Sequence, residues 1–131
     1  MEKPCILVID DDEQMLKMLN IALRRAGMDV LPAADGPSAL RLFEERRPDI
    51  ALVDIAMPGM DGYDVIRQMH EMDHGGRRAA IIILTAHSHA TIRSSALDLG
   101  VDLFLTKPVT PSQLVEHIRT LLEERSGEPR R

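Results

Sequence analysis

Aromatic side chains are nearly absent from these 131 residues: two Phe, one Tyr and no Trp, 2% of the chain. Any core must therefore be aliphatic, and the stacking platforms that grip single-stranded nucleic acid are missing. Positive charge is also in deficit, with 16 Lys and Arg against 21 Asp and Glu, a net charge of −5. Without a basic stripe, the chain lacks the electrostatic footprint of direct nucleic-acid binding. The lone cysteine, Cys5, excludes an internal disulfide and, lying in an apolar run, reads as an inert buried thiol rather than a reactive one. No apolar run reaches the roughly 20 residues of a membrane-spanning helix, and Met1-Glu2-Lys3-Pro4 does not read as a signal peptide. The expectation is a cytoplasmic protein without membrane contact. Internal repeats and low-complexity segments are absent too.

What is present is 44% hydrophobic residues, enough for one packed core. A single domain over residues 1–125 is expected, with 126–131 as a polar tail or the start of a linker. Cys5-Ile6-Leu7-Val8-Ile9, Ile50-Ala51-Leu52-Val53 and Ala80-Ile81-Ile82-Ile83-Leu84 are short, wholly apolar runs, as strands buried on both faces require. A weaker strand over 28–33 is interrupted by Pro32 and belongs at a sheet edge. A fifth strand spans 101–105. Met15, Leu19, Ala22 and Ala26 recur at helical spacing and predict a helix stopped by Gly27. Gly36-Pro37-Ser38 opens a second helix, with Ala39, Leu40 and Phe43 inward and Pro48 ending it. A third helix over 62–73 buries Val65, Ile66 and Met69, and a fourth covers 88–99. Thr110-Pro111-Ser112-Gln113 combines an N-cap, a first-turn proline and a capping-box glutamine. The helix it opens runs to about residue 124 on Leu114, Ile118 and Leu121.

Strands alternating with helices imply an α/β fold, a doubly wound parallel sheet with helices on both faces. Such sheets bind ligands beyond the carboxyl ends of their strands. Asp10, Asp11 and Asp12 follow the first strand, Asp54 the third, Thr85 the fourth and Lys107 the fifth, so all fall on one rim. Carboxylates crowded there repel one another unless a divalent cation and an ammonium offset them. That combination suits the holding of a phosphoryl group. Asp54, alone at its strand end, is the natural nucleophile for an acyl phosphate. Asp10 and Asp11 are natural ligands for Mg²⁺ or Mn²⁺, Lys107 supplies the fixed ammonium, and Thr85 supplies a hydroxyl. Positioning and charge neutralisation do nearly all the work in phosphoryl transfer.

Other polar residues read more plainly. Asp12 is an N-cap, and Asp61 shapes the loop after Asp54. His70 and His74 have metal-ligand spacing on a helix but no third ligand nearby, so they read as solvated surface. His87 and His89 are too close together on a loop to argue for zinc, and His117 faces outward. Arg77-Arg78 and Arg130-Arg131 read as solvated pairs.

The pattern resembles the receiver domain of two-component response regulators, of the chemotaxis-regulator type. The residues that carry the resemblance are Ile6-Leu7-Val8-Ile9-Asp10-Asp11-Asp12, Leu52-Val53-Asp54-Ile55-Ala56-Met57-Pro58-Gly59-Met60-Asp61-Gly62, Ile83-Leu84-Thr85-Ala86 and Phe104-Leu105-Thr106-Lys107-Pro108, and it covers residues 4–124. It implies a single flavodoxin-like (βα)5 sheet with strand order 2-1-3-4-5. It implies that Asp54 takes a phosphoryl group from a sensor histidine kinase or a histidine phosphotransfer domain. Asp10, Asp11 and Asp54, with the backbone carbonyl of Ala56, would bind Mg²⁺, and Lys107 would pair with Asp54 and then with the phosphoryl group. Thr85 and Phe104 would form the switch pair, Phe104 lacking the hydroxyl of the tyrosine often found there. The Lys107-Pro108 bond would be cis, and Ala56 and His87 would modulate attack by water on the acyl phosphate. The readout surface would be the fourth helix, fifth strand and fifth helix, roughly 88–122. That surface would serve an output domain or target protein, or a homodimer. On this reading the chain is a signalling phosphoacceptor and not an enzyme, beyond self-catalysed phosphorylation and dephosphorylation.

Two other readings stay open. Asp10-x-Asp12 with Thr85 and Lys107 mimics a phosphatase of the haloacid-dehalogenase type, although the intervening Asp54 loop and the lack of room for a cap domain weigh against it. A pseudo-receiver would bind partners without phosphorylation, but such domains usually lose a metal-binding acid or the lysine, and this chain keeps them all.

Overall fold

The wholly apolar runs become strands because each can bury both of its faces. The computed structural model describes residues 3–55, 62–73, 78–86 and 98–126. Its strands are β1 (Cys5–Ile9), β2 (Asp29–Ala33), β3 (Ile50–Asp54), β4 (Ala80–Thr85) and β5 (Leu103–Thr106). Its described helices are α1 (Glu13–Arg25), α2 (Gly36–Arg46), α3 (Gly62–Met72) and α4 (Pro111–Ser126). All strand pairs are parallel, in the order β2-β1-β3-β4-β5. This is the doubly wound α/β sheet, in the strand order that the resemblance implies. Most of the predicted fourth helix lies outside the described residues.

Strand alternation divides the core in two. Leu7, Ile9, Ala51, Val53, Ile81 and Ile83 face α2 and α3, meeting Leu40, Phe43, Val65, Ile66 and Met69. Ile6, Val8, Ile50, Leu52, Ile82 and Leu84 face the other way, toward Leu19 and Leu23 of α1 and Leu114 and Ile118 of α4. Of the residues expected to turn inward from α1, only Leu19 is buried. Leu23 is the other buried residue, while Met15, Ala22 and Ala26 are partly covered. Leu121 of α4 is likewise only partly buried.

Local chemistry sets the ends. Thr110 and Gln113 form the expected capping box, each backbone N–H donating to the other's side chain at 3.0 and 3.1 Å. Asp35 caps α2, accepting from the Ser38 N–H at 2.8 Å. Arg47 ends that helix in the left-handed region at φ 48°, directly before Pro48. β5 starts at Leu103 rather than at the expected residue 101. Asp102 takes the ladder position with its side chain, accepting from the Ile81 N–H at 2.8 Å, while its own N–H donates to the Ile81 carbonyl at 2.9 Å.

Strand β2 lies at a sheet edge, as Pro32 predicts. Asp29 N–H donates to the Pro4 carbonyl, and the Ala33 carbonyl accepts from Asp10 N–H, so residues 29 and 33 turn their backbone groups inward. Alternation turns Val30 and Pro32 outward. The Val30 carbonyl accepts from the Arg24 guanidinium at 3.2 Å.

The Ser38 N–H holds the Asp35 carboxyl below its ordinary pKa of 3.8. A lowered folded-state pKa adds stability that is present above the unfolded value and is lost as pH falls through the folded one. Asp35→Asn, which caps about as well, is therefore expected to leave the neutral-pH melting temperature unchanged and to flatten its decline below about pH 4, as read by thermal scans over pH. Gly62→Ala should be costly. Its Cβ would lie 2.5 Å from Ile55 Cα and 3.0 Å from the Asp54 carbonyl oxygen. A loss of about 1–3 kcal/mol is expected from such overpacking, and an unchanged urea midpoint would show that the start of α3 yields freely.

Candidate functional site

The register of the sheet brings the polar rim together. Ile9 pairs with Val53, Asp54 with Leu84, and Thr85 with Thr106, so these strands end nearly level. Asp10 leaves β1 with its N–H donating to the Ala33 carbonyl at 3.1 Å. Asp54 is the last residue of β3 and Thr85 the last of β4, and both are buried. Lys107 follows β5, its N–H donating to the Thr85 carbonyl at 2.6 Å. The Lys107-Pro108 bond is cis.

Asp10, Asp11 and Asp54 each present a carboxylate oxygen, and these oxygens all lie within 4.8 Å of one another. Asp11 is exposed while the other two are buried. The Lys107 ammonium reaches Asp10 Oδ2 at 3.5 Å and Asp54 Oδ2 at 3.8 Å. The sequence reading paired Lys107 with Asp54; in the structure it bridges both carboxylates and sits nearer Asp10. Among the described residues, three carboxylates and one ammonium meet here, and two of the carboxylates are buried. All the donors offered are oxygens, the set that a hard divalent cation prefers. The residues therefore fit Mg²⁺ or Mn²⁺.

Phe104 is partly buried and packs against the α2–α3 side of the core. Its register partner is Ile83, two residues before Thr85 on the neighbouring strand. Ala56, Asp61, His74, Arg77, His87, His89, Arg130 and Arg131 lie outside the described residues. Asp12 is the N-cap of α1, its Oδ1 accepting from the N–H groups of Gln14 and Met15 at 3.0 and 3.3 Å. A carboxylate committed to a helix end is poorly placed to act as the acid of an Asp10-x-Asp12 phosphatase pair.

Three expectations need correction or refinement. His70 is not merely solvated surface: it is partly buried, and its Nε2 lies 2.5 Å from the Leu99 carbonyl oxygen, tying the end of α3 to the approach to β5. Arg78 is exposed but not simply solvated, pairing with Asp102 at 4.0 Å and offering its carbonyl to the Arg125 guanidinium. Cys5 is partly rather than fully buried. Burial still pushes its thiol pKa up, Arg46 pulling partly back and Asp49 and Asp29 adding to the rise, in keeping with an inert thiol. The sequence reading also missed that the Asp12 N–H donates to Asp10 Oδ1 at 3.0 Å. The Asp-x-Asp spacing before a helix was the available signal.

The chain matches the family model "Response regulator receiver domain" over residues 6–119. It is 39% identical over 124 residues to the DNA-binding response regulator MtrA of Mycobacterium tuberculosis, covering 95% of this chain and 53% of that protein. It is 38% identical over 124 residues to the transcriptional regulatory protein PrrA of the same organism, covering 95% and 52%. The chain thus spans about half the length of these curated relatives. Among solved structures, a CheY-like response regulator receiver domain protein from Methanospirillum hungatei superposes with a TM-score of 0.90 at 29% identity, covering 98% of this chain and 100% of that one.

Removing one carboxylate should relieve the crowding. Among the described residues, Asp54 stands beside the like charges of Asp10 and Asp11 and the opposite charge of Lys107, so Asp54→Asn is expected to stabilise the metal-free protein. One unit-charge pair at about 4 Å is worth about 1 kcal/mol in water and about 4 kcal/mol near a protein surface. Mg²⁺ should raise the melting temperature of the wild type and have little effect on the variant. A metal-free variant less stable than the wild type would refute the imbalance.

Proposed function

Because the chain belongs to the response regulator receiver domain family, we propose that it is a phosphoacceptor switch whose reactive group is the Asp54 carboxylate. The donor is a phosphohistidine on a sensor histidine kinase or a histidine phosphotransfer domain. An Asp54 oxygen forms the new bond to phosphorus as the phosphorus–nitrogen bond breaks, and the leaving imidazole keeps the electron pair and takes up a proton. The observation that carries this reading is the convergence of Asp10, Asp11 and Asp54 on one point, with Lys107 between Asp10 and Asp54.

Asp10, Asp11 and Asp54, with the Ala56 carbonyl, would hold Mg²⁺ or Mn²⁺. When bound, the ion supplies the positive charge that lets a phosphoryl group approach carboxylates. Lys107 holds the Asp54 carboxylate before transfer and a phosphoryl oxygen after it. The buried Thr85 hydroxyl turns toward the new group, and Phe104 follows into the space behind it, reshaping the β5–α4 side of the sheet. Lacking a phenolic hydroxyl, Phe104 signals through packing alone. Ala56 and His87 set how readily water reaches the acyl phosphate.

The readout goes to an output domain or target protein, or to a second copy through the surface around 88–122. The named relatives are a DNA-binding response regulator and a transcriptional regulatory protein, each about twice as long, so a DNA-binding output governed by this domain is the favoured arrangement. With a net charge of −5, the domain itself does not contact DNA. We place it in the cytoplasm with the kinases it serves.

Acetyl phosphate with Mg²⁺ should add one phosphoryl group to the wild type, read by intact mass, and none to Asp54→Asn or to metal-free protein. Beryllofluoride with Mg²⁺ should shift the resonances of Thr85, Ala86 and Phe104. Phosphorylation of the Asp54→Asn variant, or none of the wild type, would overturn the assignment.

A further inference from the structure

The orientation of Asp10 has an unassigned source. Its side chain is 4% exposed, so water does not hold it in place. Its two oxygens have different partners: Oδ2 faces Lys107 at 3.5 Å, and Oδ1 accepts from the Asp12 backbone N–H at 3.0 Å. Where that N–H points depends on the Asp12 backbone, extended at φ −85° and ψ 106°. The cap holds this conformation, Asp12 Oδ1 accepting from Gln14 and Met15. Helix α1 is in turn fixed to the sheet by the buried Leu19 and Leu23. A chain of contacts thus runs from the core through α1 and Asp12 to a buried carboxylate of the cation site.

We propose that Asp12 is a positioning residue for that site: its side chain fixes the first turn of α1 so that its own N–H locks the rotation of the Asp10 carboxylate. The inference rests on the receiver reading above. Without the lock, Asp10 would exchange its oxygens between Lys107 and the cation, and the site would be ordered only on binding. Partners of metal ligands tune affinity by about 10–100-fold. Asp12 acts through a backbone group that survives mutation, so the low end of that range applies.

The test is calorimetric titration with Mg²⁺ of the wild type, Asp12→Ala, Asp12→Asn and Asp12→Ser, each shown folded by circular dichroism. Asp12→Gly replaces Asp12→Ala if the latter fails to fold, since glycine is tolerated at this position. The Ala or Gly variant should bind Mg²⁺ about tenfold more weakly. The Asn and Ser variants lose the charge but keep the cap, and should stay within about twofold of wild type. With acetyl phosphate, the Mg²⁺ concentration for half-maximal labelling should rise about tenfold in the uncapped variant, and the rate at saturating Mg²⁺ should be unchanged. Unaltered affinity in the uncapped variant would overturn the proposal. So would an equal loss in Asn and Ser, which would assign the effect to charge. No binding by the wild type would instead sink the receiver reading.

Discussion

Two buried carboxylates brought side by side are the constraint on which this molecule turns. The side chains of Asp10 and Asp54 are 4% and 9% exposed, and the ammonium they share comes from a lysine that is itself 25% exposed. Neither burial nor a single lysine makes such a group comfortable, because each carboxylate loses water and gains a like-charged neighbour. Further positive charge would relieve the arrangement, and a hard divalent cation held by these oxygens would supply it. A more evenly paired site would be more stable and less responsive.

The sheet makes that crowding possible. β1 has β2 on one side and β3 on the other, so the chain leaves β1 in one direction and returns in the opposite one. The crevice beyond such a reversal is open to ligand, and Asp10 and Asp54 stand on its two walls. β4 and β5 continue outward, bringing Thr85 and Lys107 to the same level. Two apolar layers lock the register, since a slip by one residue would exchange the side chains packed against the two layers of helices.

The fold was legible in the sequence because β1, β3 and β4 must bury both faces and can do so only as continuous aliphatic runs. The candidate site was legible because its acids and lysine close or directly follow strands. Less visible were features set by tertiary contact. Leu23 lies on a helix face whose centre depends on how α1 docks, and Ala22 and Ala26 are too small to mark it. Asp102 displaces the start of β5 by side-chain hydrogen bonding that no apolar pattern records. The contact of His70 with Leu99 joins residues 29 apart in sequence. The place of Lys107 between two carboxylates follows from where β5 ends relative to β1, a relation across the whole sheet.

The outer border of β2 has a consequence for how the molecule keeps company. Along that border the Val30 oxygen is already occupied by Arg24, and Pro32 has no hydrogen to offer. A foreign strand arriving there would meet an oxygen already engaged at Val30 and no donor at Pro32, so its ladder would be interrupted. That flank is thereby a poor template for edge-to-edge pairing and fibril-like growth.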